Sequence, residues 1–489
     1  MTDYDKDLRS IQQARRMVTA ARDAQREWAW ANQAQVDKVC AAMADAAYQA
    51  SERLGRMAAE ETGFGIPEHK KLKNQFGSKH VWESIKDVPT VGVIDHDPVN
   101  KLYKIGWPMG VVAALTPSTN PTSTVMNKIL MSIKARNGIV IAPHPSAKNS
   151  CLDTTELMAK AAVAAGAPEG LIHCMSEISL PGTNELMSHK YTAVILATGG
   201  SDMVRAAHSQ GKPAFGVGPG NVPVYVDRSA DLERAAKYIV GSKAFDHSVI
   251  CATEQAVIAD RPIANRLREL MKAEGAHFVN PVEADLLREI LFWPNGTINA
   301  ASVGKSPQYL GAMAGFSVPD SARILVAELT RIGRDEPLSR EKMTTVLGFY
   351  EAEGWEAGCD KCVDMINFGG RGHSVLLHAE NEEIIMSFGL EKPVFRIGVN
   401  TMGTLGMIGM TTGISPSLTL GSGGIGGAIT GDNITVHHLL NIKRLAFETS
   451  SPPPEAFLPS SVPAGSVHGP SVSELENIVR EVVLEVLKS

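Results

Sequence analysis

Apolar positions recur every three or four residues from residue 7 to residue 60, set among Ala, Arg, Gln and Glu, and Gly55 is the one glycine or proline in that span. That periodicity predicts helices, and residues 72–85 continue it. The period changes at VGVIDHDPVNKLYKIGWPMG, residues 91–110. Two β-type runs there flank a turn-rich centre at 95–100 that contains Pro98, which predicts a long hairpin.

A strand–helix alternation follows. GVVAALTP (110–117) reads as a buried strand ending in the polar loop STNPTS, and NGIVIAPHPSAK (137–148) as a second strand and loop. Residues 151–165 form an alanine-rich helix, and YTAVILATGGSDMVRAAH (191–208) runs from strand through Thr198-Gly199-Gly200-Ser201 into helix. AFGVGPGNVPVYVD (214–227) is a glycine-rich bend entering a strand, with a helix at 231–242 behind it. Helical patterns at 261–274, 283–296 and 306–313, a strand at 323–329 and a loop and strand at 336–350 come next. GWEAGCDKCVDMINFG is helical, and residues 373–433 read as short strands joined by polar and glycine turns. Strands alternating with helices predict βαβ units and a mostly parallel sheet, with ligands at the carboxyl ends of its strands. Gly199-Gly200 opening a helix offers backbone N–H groups to an anion such as a pyrophosphate; a plain tight turn fits the same residues. LGSGGIGG has glycines at 421, 423 and 426 in GxGxxG spacing, but lacks the βαβ frame and distant acid of a dinucleotide fingerprint. It reads as a loop that admits close backbone approach.

After HHLLNIKRLAFET the composition breaks. Residues 450–470, SSPPPEAFLPSSVPAGSVHGP, predict an extended, poorly ordered linker. In the last segment, 471–489, Val472, Leu475, Ile478, Val479, Val482, Val483, Val486 and Leu487 fall on one helical face. Ser471 and Glu474 form a capping-box pattern, and Lys488 sits at the favourable end of the dipole. A helix this short is marginal alone in water, so its apolar face calls for a partner.

Composition narrows the class. The 489 residues are 44% hydrophobic and 20% charged, which is ordinary for a globular chain of roughly two to four lobes. A net charge of −6 without a basic block points away from nucleic acid. MTDYDKDLRS is no secretory signal, and no apolar run is long enough to cross a bilayer, so no membrane partner is expected. Six dilute cysteines fit a reducing compartment. Cys359 and Cys362 form a CxxC with no second ligand pair, so no metal is expected and the pair reads as two unlinked surface or helix-end thiols. Cys251, in FDHSVICATEQAVI (245–258), stands alone between a polar lead-in and an apolar strand. A lone thiol at a loop-to-strand edge suits a nucleophile, although most such cysteines are small buried hydrophobes.

TPSTNPTST (116–124), IAPHPSAK (141–148), FGVGPGNVPVYVD (215–227), the Cys251 string, EKMTTVLGFY (341–350), GHS (372–374) and SLTLGSGGIGG occur in one order. Together they resemble the aldehyde dehydrogenase superfamily, and more closely its CoA-acylating branch, over residues 9–449. The resemblance implies an α/β fold of two Rossmann-like lobes plus an oligomerisation hairpin. A cofactor lobe would span 1–227, with the hairpin at 91–107. A catalytic lobe would span 228–420, and 421–449 would return to the first lobe and add a hairpin strand across subunits. It further implies that Cys251 is the catalytic thiolate and that Asn120, or its neighbour Thr119, donates to the oxyanion. Thr198, Gly199 and Gly200 match the nucleotide-diphosphate turn, Glu341 the acid that holds the nicotinamide ribose, and Pro143 and His144 the adenosine end. Ala142 stands where hydrolytic members carry a lysine, which leaves NAD and NADP both open. His373 would assist the CoA thiol or merely make a strand-edge hydrogen bond, and Gly423, Gly424 and Ile425 would admit the pantetheine arm.

One departure matters most. Hydrolytic members carry a glutamate base at the start of the motif matching GVGPGN, and residues 216–221 contain no carboxylate. A base of that kind typically contributes ~10²–10⁴ in rate. The expectation is therefore an NAD-dependent acylating enzyme (EC 1.2.1) that takes propionaldehyde, then acetaldehyde, to the CoA thioester. A dimer or tetramer is expected, and a tail that resembles the encapsulation peptides of bacterial microcompartments, which implies a cytoplasmic enzyme bound to shell proteins. A hydrolytic enzyme, a sulfoacetaldehyde type marked by a pocket arginine, and an inactive shell-binding scaffold are the rivals.

Overall fold

The structure is a computed structural model that describes residues 5–457 and 471–486. Fifteen strands build three sheets: β1 (Gly92–Asp97), β2 (Leu102–Pro108), β3 (Val111–Thr116), β4 (Gly138–Pro143), β5 (Ile172–Cys174), β6 (Thr192–Thr198), β7 (Ala214–Val217), β8 (Val222–Val226), β9 (Glu254–Asp260), β10 (Ala276–Phe278), β11 (Ile324–Glu328), β12 (Val346–Ala352), β13 (Val375–His378), β14 (Ile397–Val399) and β15 (Leu440–Ala446).

The first large sheet has the order β5-β4-β3-β6-β7 and the second β10-β11-β12-β9-β8-β13-β14. Among the described residues the strand pairings in both are parallel, as between Val111 and Gly138 or Gly348 and Ala256. Such strands are covered on both faces, which is why β3, β4, β8 and β9 are apolar runs rather than alternating ones. Each large sheet carries an apolar layer on either side. In the first sheet the chain leaves β3 toward β4 and returns to its other side at β6. That reversal opens a crevice at the carboxyl ends of β3 and β6, where ligands of such sheets bind.

Several expectations need correction. β8 pairs with β9 and β13, so a lobe boundary at 227 places one strand of the second sheet in the first lobe. The reading of 373–433 as short strands misses the helix Glu382–Glu391, started by Asn381, whose side chain accepts from Glu383 and Ile384 N–H. Cys359 and Cys362 are buried on the helix Gly354–Phe368 rather than at a surface or helix end, and both are free thiols.

The third sheet has the order β1-β2-β15, so the hairpin takes its third strand from its own chain. The chain divides into two compact units, Met1–Asp95 with Lys104–Arg444, and His96–Tyr103 with Leu445–Ser489. In the second unit His96 stacks on Tyr103, whose ring edge meets Phe447. The expected linker has a 3₁₀ turn at Pro454–Phe457, and its residues 458–470 lie outside the described residues. The tail helix runs Val472–Val486 and opens on a reciprocal cap: Ser471 N–H donates to Glu474 at 2.7 Å, and Glu474 N–H to Ser471 Oγ at 3.4 Å. Leu487 and Lys488 lie outside the described residues. Leu475, Ile478, Val479 and Val482 on its apolar face are about half exposed.

Candidate active site

Three loops meet between the large sheets, all within the first unit. The loop after β3 carries Thr119 and Asn120 into the helix Pro121–Lys134. The loop after β6 carries Thr198, Gly199 and Gly200 into the helix Ser201–His208. The loop after β7, residues 218–221, crosses to β8. Cys251 lies in the turn before β9.

Together they enclose a cavity of about 360 Å³. Of the residues expected from sequence it gathers Thr119, Asn120, His144, Thr198, Gly199, Gly200, Cys251 and Glu341. Pro143 is buried at the end of β4 and is not among the lining residues. A second cavity of about 500 Å³ lies on the far side of Gly218 and Pro219, which line both, and it holds His373 and Ile425. Gly423 and Gly424 line neither.

Gly220 is the hub. Its N–H donates to the Glu341 carboxylate at 3.1 Å. A Cβ there would stand 2.2 Å from the Cys251 carbonyl oxygen and 3.1 Å from the His373 ring, so no side chain fits. Glu341, Cys251 and His373 are thereby packed around one glycine.

Charge follows burial. Desolvation pushes the Cys251 thiol up to about 12, the Glu341 carboxylate adds to that, and Arg396 with the Cys251 and Ala252 N–H groups opposes it. Desolvation also lifts Glu341 to about 7, against the Gly220 N–H, Lys243 and Lys342. His373 is 1% exposed and held well below its usual range, first by burial and then by Arg396. Its Nδ1 meets Ser374 Oγ at 3.0 Å, and Arg396 Nε donates to that same oxygen at 3.3 Å. Its Nε2 has no partner among the described residues, so His373 is a neutral ring with one nitrogen uncommitted.

The Asn120 side-chain N–H₂ donates to the Val249 carbonyl at 3.1 Å and to Thr119 Oγ1 at 3.1 Å. Asn120, not Thr119, therefore touches the turn that carries Cys251. Its Oδ1 accepts from Lys73 at 2.5 Å. Lys73, Lys70 and Asp246, all buried, escaped the sequence reading. EHKKLKNQ has the look of a solvated helix face, and Asp246 that of a polar lead-in. The turn of Gly199 and Gly200 is open: a Cβ on Gly200 would meet nothing within 4 Å. The exposed start of the helix behind it fits a cofactor diphosphate. Among the described residues no arginine lines the Cys251 cavity; the buried Arg396, whose charge still acts on Cys251, lines a different one and donates to the Gly431 carbonyl at 2.8 Å.

Known proteins resemble this chain in sequence and in fold. The model of the aldehyde dehydrogenase family matches residues 7–284. An aldehyde-alcohol dehydrogenase of Streptococcus pneumoniae is 43% identical over 409 residues, 82% of this chain and 46% of that protein. The chain thus spans about half the length of the first curated relatives it matches. An acetylating aldehyde dehydrogenase from Geobacillus thermoglucosidasius superposes with a TM-score of 0.91 at 47% identity, covering 92% of this chain and 99% of that one. A propionaldehyde dehydrogenase from the Clostridium phytofermentans fucose utilisation bacterial microcompartment superposes with a TM-score of 0.81 at 27% identity, covering 89% and 97%. Two parallel sheets, the loops between them and these matches lead to one conclusion: the chain belongs to the aldehyde dehydrogenase family, alongside its acetylating members.

Proposed function

We propose that this protein oxidises a short aliphatic aldehyde, propionaldehyde first and acetaldehyde next, to the CoA thioester, with NAD as hydride acceptor. The observation that carries the reading is the loop after β7. Residues 216–221 hold no carboxylate, and Val217 rather than an acid faces the cavity with Cys251.

In this reading Cys251 Sγ adds to the aldehyde carbon. One Asn120 N–H, turned from Thr119 Oγ1 to the alkoxide, joins the Cys251 backbone N–H in holding it, and such donors are worth ~3–4 kcal/mol each. A bound nicotinamide supplies the hydride acceptor. The Thr198–Gly200 turn holds its diphosphate, Glu341 its ribose and His144 its adenosine end. Cys251 is left as a thioester, and CoA sulfur takes the acyl group. His373, whose Nε2 has no partner among the described residues, would exchange a proton with that thiol.

The test is the product. With propionaldehyde, NAD and CoA, acyl thioester should form one for one with reduced cofactor; free acid at an equal rate without CoA would overturn the reading. His373→Ala should separate the two halves, leaving the first burst of reduced cofactor intact and slowing steady CoA-dependent turnover by about 10²-fold. A burst that falls with the turnover would remove the assigned role.

The tail and the hairpin suggest partners. The exposed apolar stripe at 472–482 fits docking on microcompartment shell proteins. Deleting residues 450–489 should leave activity within about twofold and abolish co-sedimentation with shells, because the site residues lie elsewhere. Unchanged sedimentation would refute the targeting. The third sheet exposes Val93, Ile442 and Leu445, an edge that suits assembly into a dimer or tetramer.

A further inference from the structure

The helix Pro67–Gln75 reaches both halves of the site from behind. Three consecutive non-glycine residues ahead of Cys251, namely Asp246, His247 and Ser248, have φ of 48°, 50° and 66°. Each is a left-handed conformation that an L-residue adopts only at a cost, so surrounding contacts must hold the run in place. His247 Nδ1 meets the Gly304 carbonyl at 3.0 Å, and the contacts of Asp246 come from the segment 65–73. Asp246 Oδ1 accepts the Ile66 N–H at 2.7 Å, and Asp246 N–H donates to His69 Nδ1 at 2.8 Å. Asp246 Oδ2 accepts from Lys70 at 3.1 Å and from Lys73. Gly65 makes room for this, since a Cβ on it would stand 2.0 Å from Asp246 Oδ1.

The same two lysines turn to the other half. Lys70 Nζ donates to the Thr119 carbonyl at 3.2 Å and Lys73 Nζ to Asn120 Oδ1 at 2.5 Å. The Lys70, Lys73 and Asp246 side chains are 2%, 1% and 0% exposed. Asp246 stays below the usual carboxylate range, because its lysines outweigh the burial that would raise it. Burial pulls Lys73 down to about 7 against the pull of Asp246, and in its ion pair with that carboxylate it is an ammonium, which only donates. A flipped Asn120 amide would set N–H against N–H at Lys73 and a carbonyl against a carbonyl at Val249.

We infer that Lys73 is a positioning residue of this site: it fixes which end of the Asn120 amide faces the Cys251 turn, and ties that amide to the left-handed run ahead of the thiol. The inference rests on the proposed role of Asn120 as oxyanion donor. Lys73 does not line the Cys251 cavity; it acts through Asn120.

A double-mutant cycle tests it, read as the pre-steady-state burst of reduced cofactor, with cofactor affinity and thermal midpoint measured alongside. Asn120→Ala should slow the burst by about 10²-fold, the effect of losing one oxyanion donor. Lys73→Met should slow it comparably, and Lys73→Arg should recover at least about tenfold of that. Adding Lys73→Met to Asn120→Ala should cost less than about threefold more, because the two act as one unit. Should the methionine variant not fold, Lys73→Gln runs the same cycle with an expected loss of at least about fivefold. A normal burst in the Lys73 variants beside a slow Asn120→Ala overturns the inference and spares the oxyanion reading. A further loss of about tenfold in the double variant overturns it too, since it reveals a purely structural role. A normal burst in Asn120→Ala overturns both.

Discussion

Cys251→Ala is expected to lower aldehyde-dependent formation of reduced cofactor by about 10⁴-fold or more, the scale on which removing a covalent nucleophile acts. Cofactor affinity should hardly change, because the residues assigned to the diphosphate and ribose, Thr198–Gly200 and Glu341, stand on other loops. Cys359→Ala and Cys362→Ala should be silent in the same assay, since both thiols sit on the helix Gly354–Phe368 and line neither cavity. The Cys251 thiol, pushed up to about 12 by burial, must lose its proton as the aldehyde adds. A protonated thiol resists oxidation, and the Cys251 and Ala252 N–H groups already favour the anion. One further outcome follows. Alkylation of Cys251 by iodoacetamide should keep rising with pH across the accessible range, without a plateau near neutrality. Turnover in Cys251→Ala within about tenfold of the parent would remove the covalent mechanism altogether.

How much of this was legible beforehand depends on what each residue meets. β3 and β4 announced themselves, because a strand covered on both faces must be an unbroken apolar run. The tail helix did as well, because an exposed helix needs both its cap and its stripe. The helix Pro121–Lys134 did not: all 14 of its residues are buried, so no face distinguishes it. β8 was read as a strand, but its sheet was not readable, since the loop before it crosses between sheets without a break in pattern. The site divides in the same way. Cys251 stood out by its isolation, and the resemblance supplied its neighbours. Lys70 and Lys73 carried no signal, because a lysine on a helix normally points to water and only the fold turns these two inward. The acid that bears most directly on the chemistry, Glu341, was expected at the cofactor ribose, and its shared contact with Gly220 beside the thiol came only from the structure.

Omitting CoA is expected to stop turnover after about one oxidation per site, leaving a steady rate lower by ~10²–10⁴, the usual worth of a general base. The reasoning turns on Glu341, the one carboxylate that lines the Cys251 cavity among the described residues. In the first half of the reaction it is assigned to the ribose, and one of its oxygens accepts the Gly220 N–H. Once reduced cofactor has left, its other oxygen is the nearest candidate to take a proton from water. Its position near 7, raised above the ordinary carboxylate range by desolvation, sets the pH dependence. Below that point it is protonated and takes no proton; above it the carboxylate is available. The slow CoA-independent acid formation should therefore climb as pH rises through about 7 and then level, and Glu341→Gln should flatten the climb. CoA-dependent turnover should not share that profile, because a thiol is the stronger nucleophile and His373, not Glu341, is placed to handle its proton. Because Glu341 is also assigned to the ribose, Glu341→Gln should lower both activities, and the loss of the climb with pH in acid formation alone is what tells them apart. If acid instead forms without CoA as fast as thioester forms with it, and Glu341→Gln abolishes it, then Glu341 does the work of the glutamate missing from 216–221 and the protein is a hydrolase of its own thioester.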